Sequence, residues 1–175
     1  MKSVMIALIV LIVSLLCLTA GVCYGQKKVD NATVKSLDLS RYLGSWYEIA
    51  RFDHSFERGL TNAKAHYALN QDGTITVTNS GIKDGKAKEA KGKARLTDTV
   101  GRLRVSFFGP FYSDYRVLML SDDYSYVLVG SKSPKYLWIL SRTRDIPGDD
   151  LARILDVAES RGYDTDKLIW VDHSE

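Results

Sequence analysis

Leu43-Gly44-Ser45-Trp46-Tyr47-Glu48-Ile49-Ala50-Arg51-Phe52-Asp53 reads as a β-strand entered through a glycine. Trp46, Tyr47, Ile49 and Phe52 are aromatic or β-branched, side chains that fit a pleated surface better than the crowded turns of a helix. Gly44 has no Cβ, so a tight bend or a close backbone approach is open to it just ahead of the strand. A second marker of the same kind, Leu137-Trp138-Ile139-Leu140-Ser141-Arg142, follows about ninety residues later.

Between the two markers the chain alternates in short runs. Ala63, Ala65 and Tyr67 alternate with Lys64, His66 and Ala68; Ile75, Val77 and Asn79 alternate with threonines. Ala90, Gly92 and Ala94 interleave with Lys91, Lys93 and Arg95, and Leu103, Val105 and Phe107 with Arg102, Arg104 and Ser106. Asn70-Gln71-Asp72-Gly73 and Lys83-Asp84-Gly85-Lys86 carry the residues of tight hairpin turns. With 115–120, 126–130 and 136–142 this makes about eight strands, mostly hairpin-connected, which fits an antiparallel barrel or sandwich. A parallel sheet needs helices between its strands, and none is visible before Pro147. From 149 to 161, Leu151, Ile154, Leu155 and Ala158 recur at helical spacing, with aspartates in the first turn and Gly162 at the end. That predicts one helix packed outside the sheet, followed by a last short strand at 168–171.

The ends and the composition bound the rest. At 175 residues there is room for one domain with a real core, and a formal charge of +3 is too mild and dispersed to imply nucleic acid. Met1-Lys2, an apolar run over 4–18 and the small residues Thr19-Ala20-Gly21 read as a secretory signal peptide over 1–25, shorter than a membrane span. The expected location is therefore exported, in the periplasm or cell envelope. The alternative is an outer-membrane lipoprotein anchored through Cys23, although bulky Val22 fits that signal poorly. Both cysteines, Cys17 and Cys23, lie in the leader, so no disulfide is expected in the mature domain. Residues 26–36 read as a flexible entry segment and 37–43 as a short helical turn.

Strand alternation also assigns faces. Taking the less charged parity, the interior collects Trp46, Ala63, Ala65, Tyr67, Ile75, Val77, Asn79, Ala90, Gly92, Ala94, Leu103, Val105, Phe107, Tyr136, Trp138 and Leu140. The small residues among them leave volume opposite aromatics, and an eight-stranded barrel is just wide enough to hold one small ligand. Arg142 shares the inward parity of Trp138 and, at the end of its strand, needs a partner; the face of Trp46 supplies one. Glu48, of the parity of Trp46, would need a partner of its own.

The Gly44-x-Trp46-Tyr47 entry, the Ser121-Asp122-Asp123-Tyr124 turn and Arg142 closing the last long strand resemble the three signature regions of the lipocalins, in order, over about residues 37–171, within an expected barrel domain over 37–173. The runs 46–52, 105–112 and 136–142 are similar to the subgroup of bacterial outer-membrane (Blc-type) lipocalins, apolipoprotein D and the temperature-induced lipocalins of plants. The resemblance implies an all-β fold, an eight-stranded antiparallel up-and-down β-barrel or calyx with one C-terminal α-helix packed outside. It implies a fatty acid or lysophospholipid held inside the barrel for storage or transport. That there is no enzymatic activity, cofactor or metal is expected from the missing catalytic and ligating residues, since a few enzymes share this fold. Carried over by position, with inward Asn79 added, the ligand-binding residues are Ala65, Val77, Asn79, Val105, Phe107, Tyr115, Tyr136 and Trp138. Gly44, Trp46 and Arg142 are then structural closure.

Two rival readings are weighed against it. An enzyme would need a catalytic set: the mature domain has no cysteine, and His54 and His66 are expected to be solvated. Nor does alternation place an inward histidine or a carboxylate–histidine cluster. A membrane-surface or protein-interaction module with a filled barrel would use the basic residues Lys88, Lys91, Lys93, Arg95, Arg102 and Arg104, or the apolar run 107–112. A membrane surface and a second copy of the chain are accordingly kept as candidate partners.

Overall fold

The computed structural model describes residues 28–174; the expected signal peptide, with Cys17 and Cys23, lies outside them. A short helix α1 (Leu39–Tyr42), capped by the Asp38 carboxylate on the amides of Ser40 and Arg41, delivers the chain to β1 (Gly44–Phe52). Then come β2 (Thr61–Leu69), β3 (Ile75–Lys83), β4 (Lys86–Leu96), β5 (Arg102–Phe108), β6 (Phe111–Leu120), β7 (Tyr126–Gly130) and β8 (Leu137–Ser141). Each pairs antiparallel with its successor, and β1 pairs with both β8 and β2, so the eight strands close on themselves. Closure leaves no free edge in that ring. The barrel expected from the family resemblance is therefore the fold, with one addition: β9 (Leu168–Trp170) pairs antiparallel with Ala50–Phe52 of β1.

The turns follow their residues. Asp84 and Gly85 take positive φ values of 53° and 69°, the left-handed pair that a two-residue hairpin loop matched to strand twist requires. Helix α2 (Gly148–Ser160) begins after Pro147 with Asp149 and Asp150 in its first turn. It ends where Gly162, at φ 91°, lets the Tyr163 amide donate back to the Ala158 carbonyl.

Two cores result. Inside the barrel, Trp46, Tyr67, Ile75, Val77, Ala94, Leu103, Val117, Val127, Val129 and Leu140 are buried together. Outside, α2 lays Ile154 and Ala158 on the outward residues of β1, β6, β7 and β8, among them Ile49, Leu118, Leu128, Leu137 and Ile139. The entry segment expected to be flexible is instead held along the wall from Lys28 on. Val29 joins the outer core, the amides of Asp30 and Val34 donate to the Arg161 and Val117 carbonyls, and Arg116 donates to Asn31.

One irregularity redirects the interior. Along β1, Glu48 lies opposite Leu140 while Ala50 lies opposite Ile139, so Ile49 is an extra residue against β8, a β-bulge. Past it the parity inverts. Arg51, which plain alternation sends outward, lies across from Trp138 and is buried.

Candidate functional site

At one end the barrel is shut. The Trp46 indole donates to the Tyr42 carbonyl at 2.8 Å and is fully buried. The Arg142 guanidinium carbon sits 3.7 Å from the Trp46 ring centroid, and its nitrogens donate to the carbonyls of Ser45, Arg41, Tyr42 and Tyr124. Arg142 thus ties α1, the start of β1 and the β6–β7 turn together. Gly44, at φ 91°, makes the bend that brings them within reach, and a Cβ there would lie 3.6 Å from the guanidinium.

Above that floor, the inner face changes character. Val77 is buried in the floor itself. Ala65, Asn79, Val105, Phe107 and Trp138 have the inward parity but remain partly exposed, as do Tyr115 and Tyr136. Ala90, paired directly across from Asn79, is exposed. Side chains that point inward and still touch solvent mark an interior reachable from the far end. Seven of the eight residues singled out from the sequence keep such exposure, and Val77 lies buried beneath them. Its volume is not uniformly spare: a Cβ on Gly92 would meet the Phe107 ring at 2.8 Å, so Phe107 occupies the space that glycine leaves.

A ladder of phenols crosses the interior. Tyr115 joins its hydroxyl to that of Tyr42 and, at 3.2 Å, to that of Tyr67. Burial pushes all three upward in pKa, Tyr67 to about 12, so the ladder is neutral and offers hydroxyls rather than phenolates.

At the open end lies a cluster that alternation missed. Arg51 donates to the Glu48 carboxylate at 2.6 Å and to the Glu57 carbonyl at 2.7 Å; the Trp138 indole donates to the Glu57 carboxylate at 3.1 Å. His54 Nε2 is 3.2 Å from Glu57 Oε2, out of line for a hydrogen bond, and its ring stacks on Phe56 at 4.1 Å and tilts against Trp138. Stacked Tyr136 and Trp138 form the neighbouring wall. Burial raises Glu48 to about 8, helped by the nearby Glu57 charge, and burial raises Glu57 as well. Burial, then the Arg51 charge, lowers His54 to about 4, leaving a neutral imidazole at neutral pH. Among the described residues, Arg51 Nε and both His54 nitrogens have no hydrogen-bond partner.

This corrects two expectations. His54 is not solvated but buried, and a carboxylate–histidine cluster does line the interior. The signals were Glu48-x-x-Arg51 and His54-x-x-Glu57, legible only once the bulge and the inward fold of the 53–60 loop are known. His66 is exposed as expected, against the Ser45 hydroxyl. The basic outer face is largely spent. Lys91 pairs with Glu89 and Lys93 with Asp72, while Arg102 and Arg116 share Asp114 and Arg104 donates to the Tyr112 carbonyl.

A closed antiparallel barrel with a plugged floor, an apolar inner wall and an open mouth is the architecture of a carrier of small hydrophobic molecules. Comparison with known proteins gives the same class. Residues 37–173 match the family model described as a lipocalin-like domain. The chain belongs to the lipocalins, binding and transport proteins rather than enzymes, and the standing example of an eight-stranded barrel holding one small ligand.

Within that family it is 46% identical over 143 residues to the outer membrane lipoprotein Blc of Vibrio cholerae, covering 79% of this chain and 84% of the relative. It is 47% identical to Blc of Escherichia coli K12, over 79% and 80% of the two chains. Temperature-induced lipocalin-1 of Arabidopsis thaliana is 37% identical, over 81% and 82%. Among solved structures, insecticyanin from the tobacco hornworm Manduca sexta superposes with a TM-score of 0.67 at 24% identity, over 89% of this chain and 88% of that one, a likeness of fold alone.

Proposed function

We propose that this protein binds one small amphiphilic lipid, a fatty acid or lysophospholipid, inside the barrel, and stores or carries it in the cell envelope. The observation that carries the reading is the partly exposed, mostly apolar inner face of Ala65, Val105, Phe107 and Trp138 above a fully buried floor. An acyl chain placed there gains about 0.8 kcal/mol per buried methylene, against the cost of ordering it. Asn79, Tyr115, Tyr136 and the cluster around Arg51 supply the polar groups beside it. The envelope location rests on the leader and on relatives named outer membrane lipoproteins.

The test is a titration with single-chain fatty acids and lysophospholipids of increasing length, read by tryptophan emission. Saturable quenching is expected, tightening about four-fold per added methylene until the interior is full, and lost or strongly weakened in Trp138→Ala. Affinity independent of chain length, or no saturation with any acyl amphiphile, overturns the reading.

A further inference from the structure

Four connections meet at the open mouth: residues 53–60, 84–85, 109–110 and 131–136. Two present apolar tips. Phe56 is 64% exposed in the first, and Phe108 and Phe111, 82% and 78% exposed, flank Gly109-Pro110 in the third. The other two present exposed cations, Lys86 and Lys88 beside the β3–β4 turn and Lys132 and Lys135 before β8. Strand order makes the kinds alternate around the rim: phenylalanine, lysine, phenylalanine, lysine.

The acids at this end are Asp53, paired with Arg58; Asp164, paired with Lys167 in the turn before β9, with Asp166 beside it; Glu57, buried in the interior; and Asp84 in the β3–β4 turn. At the opposite end Arg41 and Arg142 are held in the floor, and the hairpin turns are acidic. Turns 70–74, 97–101 and 121–125 carry Asp72, Asp98, Asp122 and Asp123 and no lysine or arginine. Nine-residue strands separate the ends by roughly 30 Å along their length, several Debye lengths at physiological salt, so the acidic end does not oppose what the basic end approaches.

Exposed phenylalanines on separate loop tips gain nothing from one another in water, and three at one end of a barrel mark an interaction surface. Interleaved with lysines, whose stems lie along apolar matter while the ammonium stays in the headgroup layer, they match a negatively charged lipid interface. We propose that the open rim docks mouth-first on an anionic lipid surface, Phe56, Phe108 and Phe111 entering the interface and the four lysines meeting headgroup phosphates.

Both cores and every barrel pairing lie within the described residues, so the test uses the chain from Gln26, free of the apolar leader. Sedimentation with phosphatidylcholine vesicles, with and without phosphatidylglycerol, is measured at low and high salt. Preferential binding to the anionic vesicles is expected, falling steeply with salt. Phe108→Ser/Phe111→Ser should weaken it roughly ten-fold or more, and Lys132→Gln/Lys135→Gln about five-fold per charge removed. Equal binding to neutral and anionic vesicles, or variants that bind like wild type, overturns the proposal. Quenching by monomeric lysophospholipid, measured on the same variants, should be unchanged. Its absence in every protein would defeat the calyx reading while leaving the docking result to stand or fall alone.

Discussion

The Arg142 guanidinium lies flat against the Trp46 indole, its carbon 3.7 Å from the ring centroid, although the two residues stand at opposite ends of the barrel sequence. Neither contact type alone would hold it. The arginine is partly desolvated by the packing around it, and four backbone carbonyls plus the ring face repay that cost.

Arg142→Lys keeps the charge but loses the planar fork that reaches several carbonyls at once. The expected cost is about 2 kcal/mol, a fall in melting temperature of roughly 4–8 °C for a chain of this size. Thermal unfolding followed by circular dichroism checks it; an unchanged melting temperature would mean the floor is held by Trp46 packing alone.

The buried cluster makes stability depend on pH in a defined direction. Glu48 in the folded chain keeps its proton up to about 8, against an ordinary value of 4.5. The folded state therefore binds more protons between those values, and stability contributed by Glu48 falls as pH rises from about 4.5 to about 8. His54, lowered from 6.5 to about 4, acts oppositely, removing stability as pH falls through that window. Glu48→Gln leaves the His54 effect in place and removes the Glu48 one. Its urea midpoint relative to wild type should climb steadily between pH 5 and 8; a difference flat with pH would show Glu48 ionised in the folded chain throughout.

Gly92 faces Phe107, and a Cβ there would stand 2.7 Å from the Ser106 carbonyl oxygen, which is backbone and gives little. Gly92→Ala is expected to cost about 1–3 kcal/mol by overpacking, with wild-type stability restored in part by Phe107→Leu. Chemical denaturation of the single and double variants checks this. A neutral single variant would mean that β4 and β5 shift apart freely.

Much of this was legible in the sequence, and the limits were local. Alternation placed Trp46, Val77, Leu103 and Trp138 inside because period two is imposed by backbone geometry. It also paired Arg142 with Trp46, since an arginine at an inward position must find a partner. Alternation failed at Ile49: one extra residue in β1 inverts every position after it. Arg51 moved inward with that slip, and His54 and Glu57 followed because the 53–60 loop turns back over the mouth, a path no periodicity records. The exposed Phe108 and Phe111 were visible as an apolar run, but only the hairpin at Gly109-Pro110 places them at a rim rather than in a core.

The central claim, one amphiphile held in the calyx, is most directly tested by native mass spectrometry of the protein purified from cells without detergent, beside an Ala65→Phe variant. Ala65 lies on the inner wall across from Trp46 and Asn79, so the added ring takes the ligand's space without crossing the outer core. The account predicts a single acyl-lipid adduct per chain in the wild type and none, or a much reduced one, in the variant. Bare protein in both cases, even after incubation with excess lysophospholipid, would contradict it and mean a barrel filled by its own side chains.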